Sequence, residues 1–167
     1  MSRAGTIDGL QFARGRETVS GTLGIDDLQR LAGLGCEKAA LRYAVRGGES
    51  VKGRPSVTIE VAGEVRAVCQ RCLGPLELPL ATTTELELAG TQAGIDTADD
   101  DVDRVLASRA MDVVALVEDE AILALPMVLM HQGCEAGIAH VEPGKPTPFA
   151  GLAGLRKGGM DPKGPSR

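Results

Sequence analysis

The 167-residue chain carries a formal net charge of −5 at a pI near 5.1, and only 2% of it is aromatic: Phe12, Tyr43 and Phe149. That balance excludes a protein made chiefly to neutralise a phosphate backbone, and the scarcity of rings excludes the usual stacking platform for single-stranded RNA. What remains is one domain with an aliphatic core, long enough to bury roughly 70% of the surface its unfolded form exposes.

Residues 1–17 show weak periodicity and predict little regular structure of their own. Residues 18–23 predict a short strand with Val19 and Leu23 inward. A small helix follows, with Ile25, Leu28, Leu31 and Ala32 at helical spacing, Asp26 and Asp27 at its N-terminus, and Gly33 and Gly35 ending it. Ala39, Leu41, Tyr43 and Val45 alternate with Lys38, Arg42 and Arg46, a second strand that Gly47-Gly48 should close with a turn. Two long antiparallel strands come next. Val57, Ile59, Val61, Val65, Ala67 and Cys69 alternate with Thr58, Glu60, Glu64 and Arg66, and Leu76, Leu78, Leu80, Leu86 and Leu88 with Glu77, Thr83, Glu85 and Glu87. Residues 69–75 connect them, and Arg42, Arg46, Lys52, Arg54, Arg66 and Arg71 line this region.

Cys69-Gln70-Arg71-Cys72 in that connection places two soft ligands at one turn, where backbone N–H groups can hydrogen-bond thiolate sulfur while both side chains converge, a combination suited to zinc. Dithiol redox chemistry would instead set the first cysteine at a helix N-terminus, whereas Cys72 leads into Leu73-Gly74-Pro75 and a strand.

Residues 89–103 are rich in Gly, Thr and Asp and predict a mobile acidic loop, without the ligand order of a calcium-binding loop. Residues 85–120 hold eleven acids against Arg104 and Arg109, a net of −9, so the rest of the chain is correspondingly basic. After a short strand at 102–106, a helix is predicted over 112–125, with Asp112 at its start and Pro126 at its end. Glu118 projects along its apolar face with Val114, Ala121, Ile122 and Leu125, while Asp119 and Glu120 lie on the other side with Asp112. A carboxylate so placed needs a partner, which an Arg from the strands could supply, and a structural ion pair or rim position is expected over a general base or metal ligand. His131 and Cys134 are close enough in sequence to form a second ligand pair. From 142 on the chain is a Pro- and Gly-rich tail with a net of +3, in which Phe149, Leu152 and Leu155 mark a short apolar docking segment at 148–156.

Taken together, Cys69-Gln70-Arg71-Cys72-Leu73, the helix Ala115-Leu116-Val117-Glu118-Asp119-Glu120-Ala121-Ile122-Leu123-Ala124-Leu125-Pro126, His131 with Cys134, and Pro148-Phe149-Ala150-Gly151-Leu152-Ala153-Gly154-Leu155 resemble the bacterial YceD family. The motifs cover roughly the last hundred residues in the family's order. The resemblance implies a protein needed for accumulation of 23S, the large-subunit ribosomal RNA, through its synthesis, processing or stability, and it implies no catalytic chemistry. Its partner would be a ribosome-assembly protein or the large-subunit rRNA precursor, with no DNA and no membrane.

The fold expected is α+β: an antiparallel meander sheet of four or five strands, with curling toward a barrel left open, one main helix packed on it and a poorly structured C-terminal tail. Residues 1–141 form the domain and 142–167 the tail. The longest apolar run, 121–130, contains Pro126 and is too short to span a bilayer, and no early segment resembles a secretory leader, so a cytoplasmic protein is expected. Its four cysteines should then be thiols or metal ligands rather than disulfides. The candidate metal ligands, for a structural zinc, are Cys69, Cys72, His131 and Cys134; the candidate binding residues are Gln70, Arg71, Arg156 and Lys157. No catalytic residue is proposed, since two histidines and no ligand-spaced carboxylate cluster leave nothing to activate water. The alternative function is a zinc-stabilised protein–protein adaptor whose effect on rRNA is indirect.

Overall fold

The computed structural model describes residues 5–96 and 103–134. The domain boundary expected at 141, the tail 142–167 with its docking segment, and residues 97–102 of the acidic loop lie outside the described residues. Strand β1 (Thr6–Ile7) leads to helix α1 (Gly9–Gly15) and strand β2 (Thr18–Gly24). A 3-10 turn at Ile25–Asp27 and helix α2 (Gln29–Gly33) precede the long strands β3 (Cys36–Glu49), β4 (Pro55–Val68) and β5 (Pro75–Ala89). Helix α3 (Gln92–Asp96), strands β6 (Arg104–Leu106) and β7 (Met111–Asp112), and helix α4 (Val113–Ala124) complete it.

The architecture is the expected α+β. Strands β2, β3, β4, β5 and β6 form one open sheet in that order, with β1 and β7 as a separate antiparallel pair. The meander β2–β3–β4–β5 is antiparallel throughout, its registers including Leu23↔Leu41, Tyr43↔Val61 and Val65↔Leu78. Alternation places Leu41, Val45, Val57, Ile59, Val61 and Val65 on one face, each at most 1% exposed. Against that face pack Phe12 and Ala13 of α1, Leu31 of α2 and Val113, Val117 and Ala121 of α4. The core is aliphatic, as the composition requires, with Phe12 and Tyr43 its buried rings.

Several expectations are corrected. Residues 9–15 are helical, because the Asp8 side chain accepts the Gln11 N–H at 3.1 Å as N-cap and Phe12 and Ala13 fill the core. Gly47-Gly48 is not a turn. Strand β3 runs through it to Glu49, and Gly47 is bare because the Phe12 carbonyl oxygen lies 2.2 Å from where a Cβ would stand. The turn comes at 50–54, where Ser50 N–H donates to the Arg54 carbonyl and Gly53 takes a φ of +70°. Strand β6 pairs with β5 in parallel, so the sheet is mixed at that edge, and it does not close into a barrel. Finally, Glu120 is 5% exposed rather than solvated, sitting in the groove between α4 and the β5–β6 edge.

Glu118 is buried and ion-paired, but its partner comes from α2 rather than a strand. Arg30 Nε donates to its carboxylate at 2.9 Å, and the backbone N–H groups of Arg30 and Leu31 donate at 2.7 and 3.1 Å. Arg30 also reaches Asp119 and the Ala115 carbonyl, so one guanidinium fastens α2 to α4. Burial alone would push Glu118 upward, but the donors from Leu31 and Arg30 hold it below the usual carboxylate value.

Candidate metal centre

The β4–β5 connection is a knuckle. Cys69 N–H donates to the Gly74 carbonyl at 2.9 Å, Leu73 N–H to the Cys69 carbonyl at 2.9 Å, and Leu73 adopts a φ of +59°. Residues 129–134, which follow α4, run beneath it. Gln70 N–H donates to the Leu129 carbonyl at 2.8 Å, which fixes the returning strap to the knuckle. A second, smaller turn then forms at His131-Gln132-Gly133-Cys134, closed by Cys134 N–H on the His131 carbonyl at 3.2 Å, with Gly133 at a φ of +70°.

These two turns bring together the four ligands that sequence spacing singled out. The Sγ atoms of Cys69, Cys72 and Cys134 and a ring nitrogen of His131 all lie within 4.8 Å of one another. Cys69 Sγ and Cys134 Sγ are 3.8 Å apart, and Cys72 Sγ is 3.4 Å from His131 Nδ1. A tetrahedral ion with sulfur bonds of about 2.3 Å and a nitrogen bond of about 2.0–2.1 Å requires edges of about 3.8 Å between sulfurs and about 3.6 Å from sulfur to nitrogen. The donor set and its spacing fit a Cys3His site. The buried Cys36, on β3, takes no part in the cluster, and burial raises its pKa.

The ligands are prepared from outside. His131 Nε2 lies 2.9 Å from the Pro75 carbonyl oxygen, which can only accept, so Nε2 carries the proton and Nδ1 faces Cys72. The Cys72 backbone N–H, and after it those of His131 and Arg71, hold the Cys69 thiol down to about 5 against a burial that acts the other way. Burial first, then the neighbouring sulfurs of Cys72 and Cys69, push Cys134 up to about 11. The Pro75 carbonyl and the two nearby sulfurs raise His131 above its ordinary value. A divalent cation bound there would displace the thiol protons and leave Nε2–H on the Pro75 carbonyl.

Gln70 and Arg71 stand exposed at the tip of the knuckle, whereas Arg156 and Lys157 lie outside the described residues. Leu73 of the knuckle and Met127, Val128 and Met130 of the segment after α4, which Gln70 N–H joins at Leu129, are exposed to 77%, 101%, 50% and 43%. The two backbone carbonyls that complete the arrangement, Pro75 and Leu129, leave no mark in the sequence, because a carbonyl has no residue-type signature.

Among the described residues no helix is long and apolar enough to cross a membrane. No solved structure matches the chain. Residues 57–156 match the family described as large ribosomal RNA subunit accumulation protein YceD, a span that includes both turns of the cluster and helix α4. A protein of Haemophilus influenzae called large ribosomal RNA subunit accumulation protein YceD is 31% identical over 173 residues, covering 91% of this chain and 95% of its own length. The chain belongs to the YceD family.

Proposed function

We propose that this chain is a non-enzymatic, cytoplasmic ribosome-biogenesis factor needed for accumulation of 23S rRNA, and that its cysteine knuckle holds a structural zinc. Membership of the family carries the rRNA role. What supports the zinc is one observation: three thiols and an imidazole gather within 4.8 Å of one another, with the Cys69–Cys134 and Cys72–His131 separations close to tetrahedral edges and the imidazole tautomer set by Pro75. The ion ties the β4–β5 connection to the strap after α4 and gives the exposed Arg71 a rigid support. From there its guanidinium meets a phosphate or carboxylate of a ribosome-assembly protein or rRNA precursor, with Gln70 beside it and Arg156 and Lys157 of the tail adding charge.

An Arg71→Glu, Arg156→Glu, Lys157→Glu variant, folded by circular dichroism, is expected not to restore large-subunit rRNA levels in a deletion strain. Full complementation would move the working surface elsewhere. The adaptor reading is favoured by the apolar rim of Leu73, Met127, Val128 and Met130, since an interface core needs such residues and an RNA contact does not. Capture of partners from lysate with and without RNase separates the two: a protein retained after RNase supports the adaptor, and loss of rRNA and partner together supports contact through RNA.

A further inference from the structure

Strand β2 is one edge of the five-stranded sheet, and no strand among the described residues pairs with its outer rim. The register Thr18↔Arg46 and the bond from Gly47 N–H to the Glu17 carbonyl set the phase of the β2–β3 ladder. In an antiparallel pair hydrogen-bonded and non-bonded pairs alternate, so Val19, Gly21 and Leu23 spend their backbone groups on β3. Those of Thr18, Ser20 and Thr22 point the other way. Gly24 confirms the phase, since its N–H leaves the ladder for the Asp27 carboxylate at 3.1 Å. No described residue meets the N–H or C=O of Thr18, Ser20 or Thr22, and all three side chains are exposed.

Edges of this kind are ordinarily protected by charge, proline, a bulge or a covering element. Thr18–Gly24 has no charged residue, no proline and no break in register over its seven residues. We propose that β2 is a homodimer interface, at which two copies pair antiparallel about a twofold axis at Ser20 and join their sheets edge to edge. The order Thr18-Val19-Ser20-Gly21-Thr22 is what selects a second copy over an unrelated peptide. With Ser20 facing Ser20, Thr18 of each copy faces Thr22 of the other, and every outward donor and acceptor of the three residues is matched reciprocally, as an isologous contact demands. The cross-strand pairs are then hydroxyl on hydroxyl, a favourable combination in sheets. On the core face Val19 comes opposite Gly21, where the Tyr43 hydroxyl takes the space that a side chain at Gly21 would fill. The flanks also agree in charge: the end carrying Arg14 and Arg16 comes to lie along the end carrying Asp26 and Asp27 of the second copy.

The test is the mass of the full chain by light scattering and sedimentation from micromolar to millimolar concentration, with hydrogen exchange along β2. A rise from 17.3 kDa toward twice that mass is expected, with slowing of the Thr18, Ser20 and Thr22 amides and no change at 50–54. Ser20→Pro removes an N–H that β3 does not use, and Ser20→Lys sets two like charges at the axis. Both should stay folded, and the lysine variant should raise the dimer dissociation constant at least about tenfold. If the proline variant fails to fold, the lysine variant decides. A wild-type chain that stays monomeric throughout overturns the proposal, as does a dimer that survives Ser20→Lys with freely exchanging Thr18 and Thr22 amides. Protection of those amides only when another protein is added would assign the edge to a foreign strand and overturn it equally.

Discussion

Two of the places where this molecule gathers groups that a core does not tolerate unpaired solve the problem in opposite ways. At Glu118 one buried carboxylate meets two backbone N–H groups and a guanidinium, so acceptor and donors balance within the chain. At the knuckle three sulfurs and an imidazole nitrogen converge on one point, and every one of them is a lone-pair donor. The first arrangement is complete as a structural device. The second stays balanced only with a proton or a cation at its centre, which is what distinguishes a ligand set from an ion pair.

That contrast is broken most sharply at Glu118. Glu118→Ala strands a guanidinium and two backbone donors between α2 and α4. Breaking a buried pair costs about 3–5 kcal/mol, and since the Arg30 side chain is half exposed and partly resolvated, a loss of about 2–4 kcal/mol is expected in urea denaturation. A change below about 1 kcal/mol would show that the clamp is incidental. The knuckle should respond to metal instead. One zinc per chain is expected by elemental analysis, and Cys69→Ser should abolish it. At a hundredfold excess of zinc over Kd, chelation should lower stability by about 3 kcal/mol while far-ultraviolet circular dichroism is retained, because the strands β2 to β5 pair through registers that do not involve the site. Equal stability with and without chelator would reduce the cluster to a group of thiols.

Much of this was legible in the chain and some of it could not have been. The strands β3, β4 and β5 follow from strict alternation, and α4 from Asp112 and Pro126, because both signals are local. The four ligands were legible because cysteine and histidine are rare here and sit in two four-residue turns. Helix α1 was not, since Gly9-Leu10-Gln11-Phe12-Ala13-Arg14-Gly15 has poor intrinsic propensity and exists by packing Phe12 and Ala13 against β3, at the point where Gly47 lets the backbones touch. The same contact explains why Gly47-Gly48 reads as a turn and is a strand. Arg30 as the partner of Glu118 lies 88 residues away, and the parallel pairing of β6 depends on a crossover, so neither leaves a local trace.

A smaller effect sharpens the clamp by loosening the helix that carries it. The Asp112 carboxylate accepts the Val114 and Ala115 N–H groups at 2.8 and 3.2 Å, so Asp112→Ala should cost about 1 kcal/mol by urea denaturation without affecting zinc content. Should zinc be lost as well, α4 and the knuckle would be one cooperative unit rather than two devices.

The least perturbing probe is pH. Glu118 and Glu87 both lie below their ordinary value of 4.5, Glu118 through Leu31 and Arg30, Glu87 first through the Ser50 hydroxyl and then through Arg104. A carboxylate depressed in the folded state binds its proton less readily than in the unfolded chain, so its contribution is present above 4.5 and is lost as pH falls through the folded value. The wild-type chain should therefore lose stability on acidification below about 5. Glu118→Gln, which cannot titrate, should be less stable at neutral pH yet show a shallower slope in that window, the two curves converging toward acid. The same titration made without zinc should leave the difference between them unchanged, because the clamp is satisfied by its own chain. A difference that vanishes without metal would mean that the knuckle, through the strap after α4, holds Glu118 in place.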